Sequence, residues 1–206
     1  MILRIVRGRV RAARLRSVAD RFERRYAPVA RTTPGLQRYH VAVRPDGEDH
    51  ELVVVTFWSS VEAALAAYGG NLDTDLTLDQ VSGGDDAATG VEGSSVAYFE
   101  VDETQLRSST ADAAALRITV GRVRQGLDAA IQHELRERMR DLDAGLSEAY
   151  VGRRILGTEV EVAFVSAWQK PADRRLDQPI WPDISGRYDA FEIAVFTPLL
   201  SGAAAG

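Results

Sequence analysis

The stretch LRIVRGRVR at residues 3–11 occurs a second time in the chain, as LRITVGRVR at residues 116–124. Seven of the nine positions are identical, at an offset of 113 residues. A further match follows at an offset of 110 residues, between ELVVVTFW at residues 51–58 and EVAFVSAW at residues 161–168. Two long matches in the same order indicate an internal repeat.

The repeat sets the expected domain limits. We expect a first copy at residues 1–101, a linker at 102–115, a second copy at 116–200 and a disordered tail at 201–206. Short identical or similar pairs support this alignment because they keep their order: residues 35–36 with 145–146, 78–80 with 176–178, and 99–101 with 191–193.

Hydrophobic periodicity predicts the order β-α-β-β-(α)-β in each copy. In the first copy we expect an acidic loop at 71–95 and strands at 2–10, 36–43, 51–57 and 95–101. A first helix is predicted from a stripe with helical spacing, namely Leu15, Val18, Ala19, Phe22, Tyr26 and Val29. A second helix is expected at 61–68, and the first helix of the second copy at 127–142.

This order of elements predicts an α+β fold with two tandem ferredoxin-like βαββαβ repeats. A four-stranded sheet with helices on one face leaves its other face bare, and here that face is too apolar for water. Two copies in one chain can cover each other sheet to sheet. The expected architecture is an intramolecular dimeric α/β barrel with a small-molecule cavity between the sheets.

Composition excludes several classes of protein. The 206 residues include no cysteine, so disulfides, thiolate metal sites and a cysteine nucleophile are excluded. No apolar run is long enough for a membrane span, and the N-terminus lacks the pattern of a signal peptide, so we expect a cytoplasmic protein. The net charge of −5 argues against nucleic-acid binding, despite the many arginines near the N-terminus. The chain is expected to be a monomer with pseudo-two-fold symmetry or a homodimer.

A tryptophan ends the third strand and leads into a helix, in TFWSSVEAALAAY at residues 56–68. Together with the order of elements, this segment resembles the antibiotic biosynthesis monooxygenase family of dimeric α/β-barrel proteins. The resemblance covers most of the chain, as two fused copies. Members of that family oxidise aromatic polyketides without a cofactor or degrade haem, and many have no known activity.

The resemblance implies a catalytic role for Trp58, which matches the family's tryptophan, and for Tyr68, which corresponds to its tyrosine. A substrate phenol or hydroquinone would be deprotonated and would itself react with dioxygen. The asparagine expected four residues before the tryptophan is Val54 here and Phe164 in the second copy.

The other tryptophans have two interpretations each. Trp168 occupies the position of Trp58 in the second copy, and both either stack against a substrate or fill the mouth of the barrel. Trp181, in the segment PIWP at 179–182, is either a substrate-contacting lid or plain packing.

His40 is the candidate base. On the second strand Tyr39 and Val41 belong to the apolar face, so His40 and Arg44 point the other way, toward the expected cavity, where Tyr150 is the counterpart in the second copy. A histidine there is either a base near neutral pH or a hydrogen-bonded lining residue. Arg44 and Tyr150 are expected to bind the substrate.

We expect no cofactor and no metal ion. Haem is a weaker alternative, because His133 falls on the polar side of its helix, His50 precedes the third strand, and the second helix has no histidine. The histidines lack a metal-binding spacing. Arg7, Arg9 and Arg122 either bind an anionic substrate or pair with acidic neighbours.

The sequence thus predicts a cofactor-independent monooxygenase-like protein that acts on a small aromatic molecule. The alternative is a non-catalytic small-molecule-binding barrel that has the fold without the chemistry, which the missing asparagine favours.

Overall fold

The computed structural model describes residues 1–71, 91–106, 113–124, 126–140, 145–169, 176–179 and 186–203. The chain forms two compact units. Unit 1 contains Met1–Tyr98 and Thr197–Gly206, and unit 2 contains Phe99–Phe196. Trp181 lies outside the described residues, as do most of residues 170–179, where the prolines leave room for about two turns of a second helix in the second copy.

Unit 1 is a mixed α and β structure. Its elements are β1 (Ile2–Val10), α1 (Leu15–Arg21), α2 (Ala27–Thr32), β2 (Leu36–Asp46), β3 (Asp49–Trp58) and α3 (Val61–Ala67). β3 pairs antiparallel with both β1 and β2, so it is the central strand of the three.

Unit 2 has a similar order. After β4 (Val91–Leu106) come β5 (Ala115–Val123), α4 (Asp128–Arg140), β6 (Leu146–Leu156), β7 (Glu159–Trp168) and β8 (Tyr188–Ala203). β7 pairs antiparallel with β5 and β6. The α+β ferredoxin-like fold expected from the sequence is confirmed. None of the helices in the described part of the chain is long and apolar enough to cross a membrane.

Two strands extend beyond their predicted ends. β4 continues to Leu106 because its last residues pair with β6, so residues 102–106 are strand and not linker. β4 also begins at Val91, within the expected loop. β8 continues to Ala203 because its last residues pair with β2, so residues 201–203 are strand and not a disordered tail.

The first helix is interrupted, where the sequence predicts a continuous one. Phe22–Tyr26 forms a π-helical turn in which the Ala27 N–H donates to the Phe22 carbonyl, five residues back. Pro28 explains the widened turn, since its ring would clash with the carbonyl of Arg24 in an α-helix and it has no N–H to donate. The extra residue rotates α2, so Ala30 is buried and Val29 is 52% exposed, contrary to the predicted stripe.

The helix of the second copy agrees better with the apolar stripe that the sequence predicts for it, namely Leu127, Ile131, Leu135, Met139 and Leu142. Ile131, Leu135 and Met139 are buried against the sheet of unit 2. The predicted last member, Leu142, lies beyond the described end of α4 at Arg140.

Each unit buries one face of its sheet under its helices. In unit 1 this core includes Val6, Val18, Phe22, Val54 and Ala64. Alternate residues of each strand face the helices, which agrees with the period-two pattern of the sequence. We call this the helix side of the sheet.

Gly35 gives a test of the packing between β2 and α3. Its φ is +77°, and a Cβ at this position would overlap Ala63 Cβ. Gly35→Ala should therefore lower the free energy of unfolding by about 1–3 kcal/mol, measured by urea denaturation. Gly47→Ala is the matched control, because Gly47 has a similar φ of +64° with open space around its Cβ position. Equal losses in the two variants would contradict a packing role for Gly35.

Candidate functional site

A row of polar side chains crosses the helix side of the sheet in unit 1. Arg4 on β1 pairs with Thr56 on β3, Thr56 pairs with Tyr39 on β2, and Tyr39 pairs with Gly202 on β8. Paired residues on one face of a sheet have Cβ atoms within about 5.5 Å of each other. Arg4, Thr56 and Tyr39 are fully buried.

Trp58 lies next to this row, at the end of β3. It is 2% exposed, and its indole Nε1 donates to Thr56 Oγ1 at 3.0 Å. Its ring meets the ring of Tyr68 edge to face, with centroids 5.3 Å apart. The structure therefore brings together Trp58 and Tyr68, the two residues that the family resemblance singled out.

Tyr68 is positioned by the short helix α3. Ser60 caps the start of α3, where its Oγ accepts the Ala63 N–H at 3.2 Å. At the other end the Tyr68 N–H donates to the Ala64 carbonyl at 3.1 Å, and the side chain turns into the core, where it is 4% exposed.

Arg4 is the cation of this region. Its guanidinium carbon lies 4.1 Å from the centroid of the Tyr68 ring, in a cation–π contact. A charged side chain is rarely buried without strong interactions, because removing it from water costs several kcal/mol. The burial of Arg4 therefore depends on contacts such as its stacking on Tyr68.

Aromatic rings extend the same region toward the helices. Phe22 and Tyr26, both from the π turn, meet edge to face with centroids 5.7 Å apart, and Tyr26 meets Tyr39 in the same way at 5.5 Å. Edge-to-face pairs of this kind add to the stability gained from burial. We define the helix-side cluster as Arg4, Phe22, Tyr26, Tyr39, Thr56, Trp58 and Tyr68.

The phenol of Tyr26 is kept protonated. Burial raises its pKa well above 10, and the neighbouring Tyr68 and Tyr39 raise it further, whereas the positive charge of Arg4 acts in the opposite direction. Tyr26 is therefore a neutral hydrogen-bonding group at physiological pH.

Unit 2 has the same frame with different side chains. Arg117, Ser166 and Trp168 occupy the positions of Arg4, Thr56 and Trp58, and Trp168 Nε1 again donates to the hydroxyl two residues before it, at 3.0 Å. Phe22, Tyr26 and Tyr39, however, correspond to Leu135, Met139 and Ala149.

Arg117 has backbone partners in unit 2. Its Nε donates to the Leu176 carbonyl at 2.9 Å and its Nη2 to the Gln178 carbonyl at 3.2 Å. Burial lowers its pKa to about 10, so it stays charged at neutral pH. These bonds hold residues 176–178 against β5.

His40 lies on the face of β2 opposite to Tyr39, away from the helix side. It is fully buried, its Nδ1 is 2.9 Å from Ser201 Oγ, and its ring meets Phe57 edge to face at 6.1 Å. The sheet therefore separates His40 from Trp58 and Tyr68, and the three predicted catalytic residues do not form one site.

Arg44 shares this opposite face and is part of an ion-pair network. Its Nε donates to Glu51 Oε2 at 2.5 Å, and Arg7 Nη1 lies 3.3 Å from the other oxygen of Glu51. Arg154 and Glu161 form the corresponding pair in unit 2, at 2.6 Å. Arg44 thus has a structural partner within unit 1.

The remaining predicted binding residues belong to unit 2. The Tyr150 hydroxyl donates to Glu148 Oε2 at 2.8 Å, and both residues are buried. Trp168 is on the helix side, in the core with α4. Trp181 lies outside the described residues.

Of the two interpretations for the strand arginines, the structure shows pairing with acidic neighbours. Arg9 lies 3.5 Å from Asp49, and Arg122 lies 3.1 Å from Glu159. Each arginine borders an open cleft at the strand ends, of about 270 Å³ in unit 1 and about 410 Å³ in unit 2.

The described histidines do not suit an axial haem ligand beside the helix-side cluster. His40 is on the other face of the sheet, and His133 is exposed on α4. His50 is at the start of β3, six residues before Thr56, which is about 20 Å along the strand. In the described ranges no group of three histidine or acidic side chains is placed to hold a metal ion.

Sequence reasoning missed Arg4, Tyr26 and Tyr39 as site residues. Arg4 carried a usable signal, because it falls on the same face of β1 as Ile2, Val6 and Val10, all of which are apolar. A single charge on an otherwise apolar strand face indicates a buried, specifically placed group.

The burial of Tyr26 predicts a pH effect on stability. Above pH 10 the unfolded chain loses this proton while the folded chain keeps it, so the free energy of unfolding falls as the pH rises. One such group contributes up to about 1.4 kcal/mol per pH unit. Tyr26→Phe should make the fall between pH 10 and 11 shallower by up to that amount, measured by urea denaturation. Tyr98→Phe, at a 41% exposed ring, is the control; an equal change in both variants would contradict the effect of burial.

Comparison with known structures shows the fold over the whole chain. A candidate monooxygenase from Fusobacterium nucleatum aligns with a TM-score of 0.74 at 12% identity, over 100% of this chain and 95% of that one. A candidate monooxygenase from Lactobacillus acidophilus aligns with a TM-score of 0.71 at 11% identity, over 98% and 96%. An anthrone oxidase-like protein aligns with a TM-score of 0.60 at 15% identity, over 100% and 94%.

The sequence itself matches one family model. Residues 1–71, which contain Arg4, Trp58 and Tyr68, match the family described as antibiotic biosynthesis monooxygenase. No curated protein matches the chain. The resemblance predicted from the sequence is confirmed over residues 1–71, which match this family model, and the solved structures share the ferredoxin-like fold of the chain.

Proposed function

We propose that the protein is a cofactor-independent monooxygenase for a small aromatic molecule, and that the helix-side cluster of unit 1 is its active site. One observation carries the proposal: the fully buried guanidinium of Arg4 stacks on Tyr68, which in turn contacts Trp58. The cluster combines flat apolar rings with one cation, the combination that binds an aromatic anion.

Arg4 would make substrate deprotonation easier. A positive charge in a low-dielectric site lowers the pKa of a nearby acid, here the phenol or activated methylene of the substrate. Trp58 and Tyr68 would hold the aromatic ring by stacking. The resulting carbanion or phenolate is rich in electrons and can reduce dioxygen without help from a cofactor.

Dioxygen is the only co-reactant that the proposed reaction needs. The deprotonated substrate carbon gives its electrons to dioxygen and forms a C–O bond, which yields a peroxide. Loss of water from the peroxide breaks the O–O bond and leaves a carbonyl. Each turnover consumes one dioxygen, oxidises one methylene or ring C–H carbon to a carbonyl, and releases one water.

The differences between the units favour unit 1 as the active one. Unit 1 places Phe22, Tyr26 and Tyr39 around the cation, where unit 2 has aliphatic side chains.

A non-catalytic binding protein is the second candidate. Val54, at the position of the family's asparagine, is 1% exposed and packs in the core of unit 1. An apolar side chain there supplies no hydrogen bond to a substrate oxygen. On this alternative the cluster would bind an aromatic ligand and leave it unchanged.

Anthrone is the first substrate to assay, since an anthrone oxidase-like protein shares the fold. The protein should consume dioxygen and produce anthraquinone, measured with an oxygen electrode and by absorbance. Trp58→Phe should lower kcat/KM about tenfold or more, because it removes the indole N–H and part of the stacking surface. Tyr68→Leu should have a similar effect, because it removes the aromatic ring.

Two control variants test whether activity depends on the helix-side cluster of unit 1. Trp168→Phe is the matched control in unit 2, since Trp168 has the same indole hydrogen bond as Trp58. His40→Gln tests the opposite face of the sheet. Both should retain activity near the wild-type level. Binding of anthrone without dioxygen uptake would support the binding-protein alternative, and activity lost in His40→Gln but kept in Trp58→Phe would overturn the location of the site.

A further inference from the structure

The hydroxyl of Tyr39 is an exception among the buried polar groups of the helix-side cluster. Tyr39 is fully buried, yet its hydroxyl has no hydrogen-bond partner among the residues that the structure describes. A buried hydroxyl without a partner costs about 1–3 kcal/mol. Such a cost needs an explanation, and a functional role for the group is one of those known from other proteins.

Other buried aromatic side chains show how this cost is normally avoided. Trp58 donates to Thr56, Trp168 donates to Ser166, and Tyr150 donates to Glu148. Thr56 is the cross-strand neighbour of Tyr39, and its hydroxyl already accepts the indole N–H of Trp58. In unit 2 the position of Tyr39 is occupied by Ala149, so the fold does not need a tyrosine there.

The space for this tyrosine depends on a glycine. Gly202 on β8 is the cross-strand neighbour of Tyr39, and a Cβ at Gly202 would lie 2.6 Å from the Tyr39 hydroxyl oxygen and 2.7 Å from Cζ. The Tyr39 ring therefore lies directly over the backbone of Gly202. The hydroxyl has a fixed position at one end of the polar row.

Arg4 lies at the other end of that row. Arg4 and Tyr39 are separated by β3, which places their Cα atoms two strand spacings apart, about 10 Å. A flat molecule with its anionic oxygen toward Arg4 would extend along the row with its far end toward Tyr39.

We propose that the Tyr39 hydroxyl is a specificity-determining group, which forms a hydrogen bond with a second oxygen at the far end of the substrate. This inference rests on the proposed function of the helix-side cluster. The substrate class it defines is an extended aromatic molecule of two or more fused rings, with oxygen substituents at both ends.

A pair of ligands that differ by a single hydroxyl tests this assignment. 2-Naphthol carries one oxygen, and 2,6-dihydroxynaphthalene carries oxygens at both ends of its long axis. The wild-type protein should bind the diol about tenfold more tightly, measured by isothermal titration calorimetry. Tyr39→Phe should bind the two ligands with equal affinity, because it keeps the ring and removes only the hydroxyl.

Thermal unfolding gives a second, ligand-free measurement. Tyr39→Phe should leave Tm unchanged or raise it, because the hydroxyl has no partner to lose. Tyr150→Phe is the matched control: it should lower Tm by breaking the bond to Glu148, and it should leave the preference for the diol intact.

The outcomes separate the two proposals. If the wild-type protein binds 2-naphthol and the diol equally, or if Tyr39→Phe keeps the preference for the diol, the role of Tyr39 is overturned while the proposed function stands. A fall in Tm for Tyr39→Phe as large as that for Tyr150→Phe would also overturn it. If neither ligand binds, the proposed function falls, and the inference with it.

Discussion

The register of β3 between its two neighbours is the constraint on which the candidate site depends. Trp58 is opposite Ile2 of β1 and Leu36 of β2 at the same time, and this alignment sends Val54, Thr56 and Trp58 to the helix side. Side chains alternate between the two faces along a strand. If β1 or β2 shifted by one residue against β3, Arg4 or Tyr39 would therefore move to the other face of the sheet. The apolar core under the helices thus fixes where the polar groups of the site lie.

Much of the fold could be read from the sequence, because alternation and helical spacing report directly on burial. The strands β1, β2 and β3 and the two faces of β2 follow from this pattern, as does the proximity of Trp58 and Tyr68, which are separated by one short helix.

The π turn was not predictable from spacing, since it depends on how Pro28 is accommodated. The partners of β4 and β8 are distant in sequence, and therefore their full lengths were not predictable either. The apolar face of β1 marks Arg4 as a buried charge, but its row with Thr56 and Tyr39 depends on strand pairing between distant segments, which the local pattern does not show.

A comparison of the two units separates the side-chain interactions that both contain from those found in one of them. The tryptophan with its hydroxyl acceptor, the buried arginine on the first strand and the arginine–glutamate pair between the second and third strands occur in both. These features stabilise the sheet and the ends of its strands. Phe22, Tyr26 and Tyr39 of unit 1 correspond to Leu135, Met139 and Ala149 in unit 2, and this difference supports the proposal that unit 1 is the active one.

The last strand has a consequence for the order in which the chain can fold. Residues 197–203 of β8 pair with β2 and complete the sheet of unit 1, although α3 and the strands β3 to β7 come between them and β2 in the chain. During synthesis, this edge of β2 stays unpaired until those later residues have been made. An unpaired edge strand can associate with other chains. The protein is therefore most exposed to misassembly during the time between making β2 and making the residues that cover it.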